Sequence, residues 1–233
     1  MTVRLTRTSH GTLPESAGIE IDDNGRATGW QTSGNRVGRF ARDLTAQEQV
    51  ALDRALTSAR DADAPAAPDP NAPKPPSGAT EQLIADELPG VVLDDLATPP
   101  PGFKKLVRLL LSLRDDLVDS PLAAIELAVD GPPFRAELRH VGSEPVRVRI
   151  GTLTVLATLF KRNSAIEDSK TYTVDASEVE GPLWPGWTLP LVDELGIDTP
   201  RKGRFLTVSV GTPEVDALGD GVLRSVEFSW MTE

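Results

Sequence analysis

Cysteine is absent from the 233 residues. That absence removes disulfides, thiol nucleophiles and thiolate metal sites together, so the fold must hold by packing alone. Histidine is nearly absent: His10 and His140 are the two imidazoles, 130 residues apart in the chain, and neither is placed as a base or a metal ligand. P-loop, dinucleotide-fingerprint, nucleophile-elbow and HExxH patterns are all missing, which sets enzymes last among the function classes. Positive charge is in deficit, with 24 Lys and Arg against 35 Asp and Glu and a formal net charge of −11. Such a balance argues against a phosphate-binding groove, and so against nucleic acid as a partner. The N-terminus MTVRLTRTSHGTLPES has no apolar run that could serve as a signal-peptide core. No later segment approaches the roughly 18 apolar residues that span a bilayer. The expectation is a soluble, cytoplasmic protein without a membrane partner, cofactor or metal.

What is present is organised around GFKKLVRLLLSLRDDLV, Gly102 to Val118. Phe103, Leu106, Leu110, Leu113 and Leu117 recur at intervals of three and four, with Val107 and Leu109 widening the stripe, so one broad helix face is to be buried. Pro99, Pro100 and Pro101 set its start and Pro121 its end. After this helix the apolar period changes to two. Two domains are therefore expected, 1–118 and 119–233, in an α+β fold.

In the first domain Val3 and Leu5 alternate with Arg4 and Thr6 as a strand with one apolar face, and Ala17 to Ile21 form a second strand. The tip between them, residues 8 to 14, is exposed. Asp22-Asp23-Asn24-Gly25 reads as a tight turn, because it lacks the remaining ligands of a calcium loop. The Gly- and Arg-rich stretch from 26 to 43, with Trp30 and Phe40 inside it, reads as a long hairpin or a flexible loop. Thr45 with Glu48 makes a capping box for a helix whose apolar face is Val50, Leu52, Ala55 and Leu56 and which ends near Arg60. Residues 61–79 hold six prolines and no large apolar side chain, the composition of a disordered or extended segment, here a long loop within the first domain. QLIA and VVLDDL would be short strands around a turn at Leu88-Pro89-Gly90.

The resulting order is strand, strand, helix, strand, strand, helix. With VRLTRTSHG at the extreme N-terminus, a helix opened by LTAQEQ and a terminal P-x-x-x-x-L-x-x-L-L helix, the chain over about residues 3–118 resembles emfourin. Emfourins are small cytoplasmic protein inhibitors of thermolysin-like metalloproteases of the protealysin type. The resemblance implies a ββαββα domain and such a protease as partner. The family reads T-R-S-G-G just after its first strand; here Thr6 and Arg7 match, Thr8-Ser9-His10-Gly11 replaces the Ser-Gly-Gly, and the proline-rich segment is an insertion.

In the second half, strands at Ile125–Val129, Phe134–Val141, Val146–Ile150 and Leu153–Phe160 follow one another with turns at Gly131-Pro132-Pro133, Gly142 to Pro145 and Gly151. More are expected at Thr171–Val174, Thr188–Leu191, Phe205–Val210 and Val222–Trp230. Phe134, Ala136 and Leu138 share a face, as do Val146, Val148 and Ile150, and Val226, Phe228 and Trp230, which puts Arg147 and Arg149 in solvent. AELRHVGSEPVRV, LWPGWTL and GRFLTVSV look like the immunoglobulin-like sandwiches that bacteria use as accessory binding domains, a form shared by some intracellular protease inhibitors of bacilli. Trp184 and Trp187 beside Pro185-Gly186 either cover the open end of the sandwich or form an aromatic contact. His140 is expected at the surface or rim. The carboxylate pairs Asp22-Asp23, Asp94-Asp95 and Asp115-Asp116, and the DALGDG turn with Asp216 and Asp220, read as solvated charge and chain reversal.

The functional expectation is a proteinaceous inhibitor of a thermolysin-like metalloprotease, and the alternative is a non-catalytic binding or scaffold protein that uses its sandwich. Without a thiol or a chelating cluster to capture a catalytic zinc, inhibition would work by occupation. The candidate protein-binding residues are Thr8, Ser9, His10, Gly11, Thr12, Leu13 and Pro14. Leu13 is the apolar side chain that such a protease would accept just after the scissile bond; it could instead close the core edge under the first hairpin.

Overall fold

The structure is a computed structural model, and it describes residues 2–9, 16–62, 79–86, 88–94, 99 and 101–232. Among the described residues it is predominantly β-strand with two helices, and the chain divides into two units. The first comprises residues 1–30 and 40–120, the second Gln31–Arg39 and Pro121–Glu233.

Along the chain β1 (Val3–Ser9), β2 (Ser16–Ile21) and β3 (Arg26–Gln31, of which Gln31 counts with the second unit) precede β4 (Ser33–Gly34), which belongs to the second unit, and β5 (Arg36–Asp43), which is divided between the two. Then come α1 (Ala46–Arg60), β6 (Ala79–Ala85), β7 (Leu88–Asp94) and α2 (Lys104–Leu117). The sheet order in this unit is β5-β3-β2-β1-β6-β7, with Phe40–Asp43 as its share of β5. Val3, Leu5, Ile19, Ile21, Ala27 and Leu83 are buried. Each strand therefore has one apolar face, as period two requires. Five buried side chains of α2, Leu106, Val107, Leu110, Leu113 and Leu117, form the stripe expected of it, and α2 packs against β1, β2 and α1.

Five strands, four of them contributing to the first unit's sheet, come before α1 where two were expected, so the order is not ββαββα. Ala27 and Gly29 are buried while Thr28 is exposed, so the Gly/Arg-rich stretch alternates like any strand. Its glycines lie where neighbours come close, which is a strand use of glycine that composition alone presents as a loop. Two smaller differences follow the same logic. Leu88-Pro89-Gly90 lies within β7, where Leu88 already pairs with Ala85; β7 is the last strand in the order, and an edge tolerates proline. Val50 is 47% exposed, and Leu52, Ala55, Leu56 and Ala59 carry the buried face of α1. Thr45 and Glu48 do form the capping box. The proline-rich loop at 61–79 lies outside the described residues except for Asp61, Ala62 and Ala79.

The second unit holds β8 (Pro121–Asp130), β9 (Arg135–Gly142), β10 (Val146–Lys161), β11 (Ile166–Leu183), β12 (Thr188–Val192), β13 (Arg204–Val215) and β14 (Arg224–Met231). One sheet runs β12-β9-β8-β5 and the other β11-β10-β13-β14-β4. Ile125, Leu127, Leu138, Val148, Val155, Val208 and Phe228 from both sheets share one buried core, and Arg147 and Arg149 are in solvent. No turn occurs at Gly151. The two strands expected on either side of it are one strand, β10, with a bulge between Ile150 and Thr152 that bends the ladder without ending it.

A division at residues 118 and 119 leaves out one piece of the second unit. Gln31–Arg39 lies in it: Val37 is fully buried in its core beside Ile125 and Leu127, Leu127 N–H donates to Asn35 O at 2.7 Å, and Arg36 Nε meets Glu126 Oε1 at 3.1 Å. Gly38, at φ +138°, brings its backbone against Ala123 and Ala124, where a Cβ would stand 2.3 Å from Ala123 O. Only glycine fits there. β4 pairs in parallel with β14, Ser33 opposite Glu227.

Candidate functional site

The candidate segment is the connection from β1 to β2. Of its residues the structure describes Thr8 and Ser9; His10, Gly11, Thr12, Leu13 and Pro14 lie outside the described residues. β1 is paired on both sides, antiparallel to β2 from Val3↔Ile21 to Thr8↔Ser16 and antiparallel to β6 from Val3↔Ala85 to Ser9↔Ala79. The connection therefore leaves and re-enters at two residues fixed opposite each other, Thr8 and Ser16. Thr8 and Ser9 are half-buried.

Trp30 supports this end of the hairpin. Its indole N–H donates to Ser16 Oγ at 3.2 Å, and its ring lies over Gly18, where a Cβ would come within 2.2 Å of it. The Arg4 guanidinium stacks 5.1 Å from the ring centroid. A cation over an indole contributes about 0.5–1 kcal/mol at a solvent-accessible site. Sequence reasoning placed Trp30 in a long hairpin or a flexible loop and gave it no role. The available signal was the alternation Ala27, Gly29 against Thr28, Trp30, which sets the indole on the face opposite the core.

The Asp22–Gly25 turn is a turn. Asp22 Oδ1 accepts the backbone N–H groups of Asn24 and Arg26, both at 2.9 Å, and these bonds, that from Arg26 first, hold its carboxyl below the usual range. With Leu44, Gln49 and Leu52 it borders a cavity of about 260 Å³. Asp216 is likewise committed, accepting the N–H groups of Gly219 and Gly221 at 2.8 and 3.0 Å. Among the described residues no group of three His, Asp or Glu side chains is placed to hold a metal ion, and no helix is long and apolar enough to cross a membrane.

His140 is not a surface residue. It is buried on β9, with 5% of its surface exposed, Nε2 is 2.9 Å from Glu144 O, and Nδ1 has no hydrogen-bond partner among the described residues. Burial lowers its pKa below the ordinary value. The two tryptophans at the Pro185-Gly186 turn divide: Trp187 packs partly buried against the second unit's core, and Trp184 is 64% exposed.

Comparison with protein-family models, with curated proteins and with solved structures gives no match for this chain.

Proposed function

We propose that the chain is a non-catalytic proteinaceous inhibitor of a thermolysin-like metalloprotease of the protealysin type, acting in the cytoplasm through the connection from Thr8 to Pro14. The reading begins from the emfourin resemblance of the first unit. One observation supports the mode of action: β1 is held by strands on both sides up to Thr8 and Ser9, and β2 begins opposite Thr8 at Ser16. A segment anchored at both ends by paired strands loses less entropy on binding than a free peptide does. It enters the protease cleft as a slowly cleaved substrate mimic, with Leu13 as the apolar anchor. The test is inhibition of a protealysin-type enzyme by the purified full chain, wild type against Leu13→Asp. Loss of inhibition with an unchanged circular-dichroism spectrum and melting temperature supports the reading. Inhibition unaltered by the substitution moves the contact elsewhere, and unfolding assigns Leu13 to the core.

A second reading, a binding or scaffold protein whose second unit is an immunoglobulin-like sandwich that engages a partner, has its own support in the 64% exposed indole of Trp184. Aromatic anchors of that kind are enriched among residues that dominate protein interfaces.

A further inference from the structure

β11 is the most exposed strand of the second unit. Its 18 residues end the order β11-β10-β13-β14-β4, its ladder is with β10, and among the described residues its backbone makes no other strand pairing. A free edge of this length is a template for an added strand. The edge is interrupted once. Val179 pairs with Ile150 and Asp175 with Thr152, so three residues of β11 face the single Gly151. The bulge turns Ala176 inward to 6% exposure and opens a cavity of about 270 Å³ bordered by Asp175, Glu178, Val179 and Leu189. That volume is just below the roughly 300 Å³ at which pockets take whole small molecules, and it leaves room for a side chain.

Charge selects the strand that can add. β11 carries five carboxylates and one lysine. Arg204 takes Glu167 at 2.9 Å, Arg149 takes Glu180 at 3.5 Å, and the Lys170 ammonium is turned to Gly196 O. Asp168, Asp175 and Glu178 have no cation partner among the described residues. A second copy is a poor occupant. A second copy would bring five more carboxylates and one lysine to the same edge, and a two-fold axis through Thr171 would set Glu167 opposite Asp175; like charges directly opposite across a ladder repel. A lysine- or arginine-bearing strand meets the opposite situation, so the same acidic edge excludes one class of partner and favours the other.

We propose that the free edge of β11 is a docking site for an extended basic segment of a partner protein, which adds as a strand, sets its cations against Asp168, Asp175 and Glu178, and seats one apolar side chain in the cavity at the bulge. This site is in the second unit and does not depend on the protease reading.

The experiment uses the full chain, isotopically labelled, with three acetylated hexapeptides as probes: alternating lysine and valine, alternating glutamate and valine, and the lysine peptide N-methylated at every second residue so that it cannot pair along one edge. The expected result is that the lysine peptide shifts the resonances of a contiguous run of amides within Ile166–Glu180 and slows their hydrogen exchange, and that the other two peptides do not. The triple variant Asp168→Lys, Asp175→Lys, Glu178→Lys, at exposed positions, should keep its melting temperature and bind the lysine peptide at least tenfold more weakly. The proposal is overturned by absence of binding, by shifts that map away from β11, by equal binding of the N-methylated peptide, or by concentration-dependent self-association that the triple variant abolishes. If the triple variant unfolds, Glu178→Lys alone, at the bulge, is read in the same way.

Discussion

Gly38→Ala tests whether Gln31–Arg39 is a structural member of the second unit. At Gly38 a Cβ would stand 2.3 Å from Ala123 O and 2.7 Å from Ala124 Cα, both backbone atoms of β8, so no side chain can swing away to relieve the clash. Ordinary contact begins at 3.4 Å, and β8 would have to retreat by roughly 1 Å. Overpacking of this kind costs about 1–3 kcal/mol, and the φ of +138° adds about 1–3 kcal/mol for a residue with a Cβ. The expected loss is therefore about 2–6 kcal/mol, a large part of the 5–15 kcal/mol that typically holds a domain. Gly151→Ala is the internal control. It lies in the same unit with nothing within 4 Å of its Cβ position and no positive φ, so it should be neutral or stabilise by up to about 1 kcal/mol. Urea unfolding gives the two stabilities. Hydrogen exchange of the Leu127 amide, which donates to Asn35 O, localises the effect. If Gly38→Ala leaves both the midpoint and the Leu127 protection at wild-type values, the segment is not seated on β8 and the division into units is wrong.

A fragment of residues 119–233 lacks Val37, whose burial contributes about 1.5–3 kcal/mol, together with the strand that covers β8. It should melt below the same unit in the full chain and be stabilised by a peptide of residues 31–39 added in trans; equal melting with and without the peptide refutes this. Thr45→Ala should cost about 1 kcal/mol, seen as an earlier urea midpoint of the first unit. Its partner Glu48, bonded by Arg42 and by Thr45, has its pKa lowered from 4.5 to about 2, so its contribution is fully present above pH 4.5 and is lost as pH falls toward 2. Glu48→Gln should flatten the melting profile in that window, and an unaltered acid limb would refute it. His140 has the opposite chemistry: its charged form is disfavoured in the fold, so the unfolded chain binds the extra proton and stability falls as pH drops below about 6.5. The nearby charges do not offset this, since Arg139 is paired with Glu137 and Asp130, and Glu144 with Arg39. His140→Gln, which keeps a donor for Glu144 O, should remove that slope between pH 7 and 5 in thermal melts; a slope that survives assigns it to another group.

Local pattern was sufficient wherever a residue's environment is set by its own element. The α2 stripe, the Thr45 capping box and the alternation of β9, β10 and β14 needed the helical period, the strand period and the cap rule, and nothing more. What sequence reading missed depends on partners distant in the chain. His140 looks like a rim residue beside Val141, but its backbone N–H donates to Trp187 O at 2.8 Å and it is buried. Gly151, read as a turn, is a bulge because β13 and β11 continue past it on both sides.

The stretch 26–43 shows the limit best. Its glycines and arginines look like loop composition, yet each answers a contact: Gly38 lets β8 approach, Arg36 and Arg39 meet Glu126 and Glu144, and Trp30 covers Gly18. A strand that must pass close to another backbone uses glycine where an ordinary strand uses valine, so β-propensity falls where the packing is tightest. The same reasoning bears on the two candidate surfaces. The Thr8–Pro14 segment was legible because it is a break in the pattern between two regular strands. The β11 edge was not, because an edge is defined by the absence of a neighbour, and no stretch of sequence carries that information until the order of the strands is known.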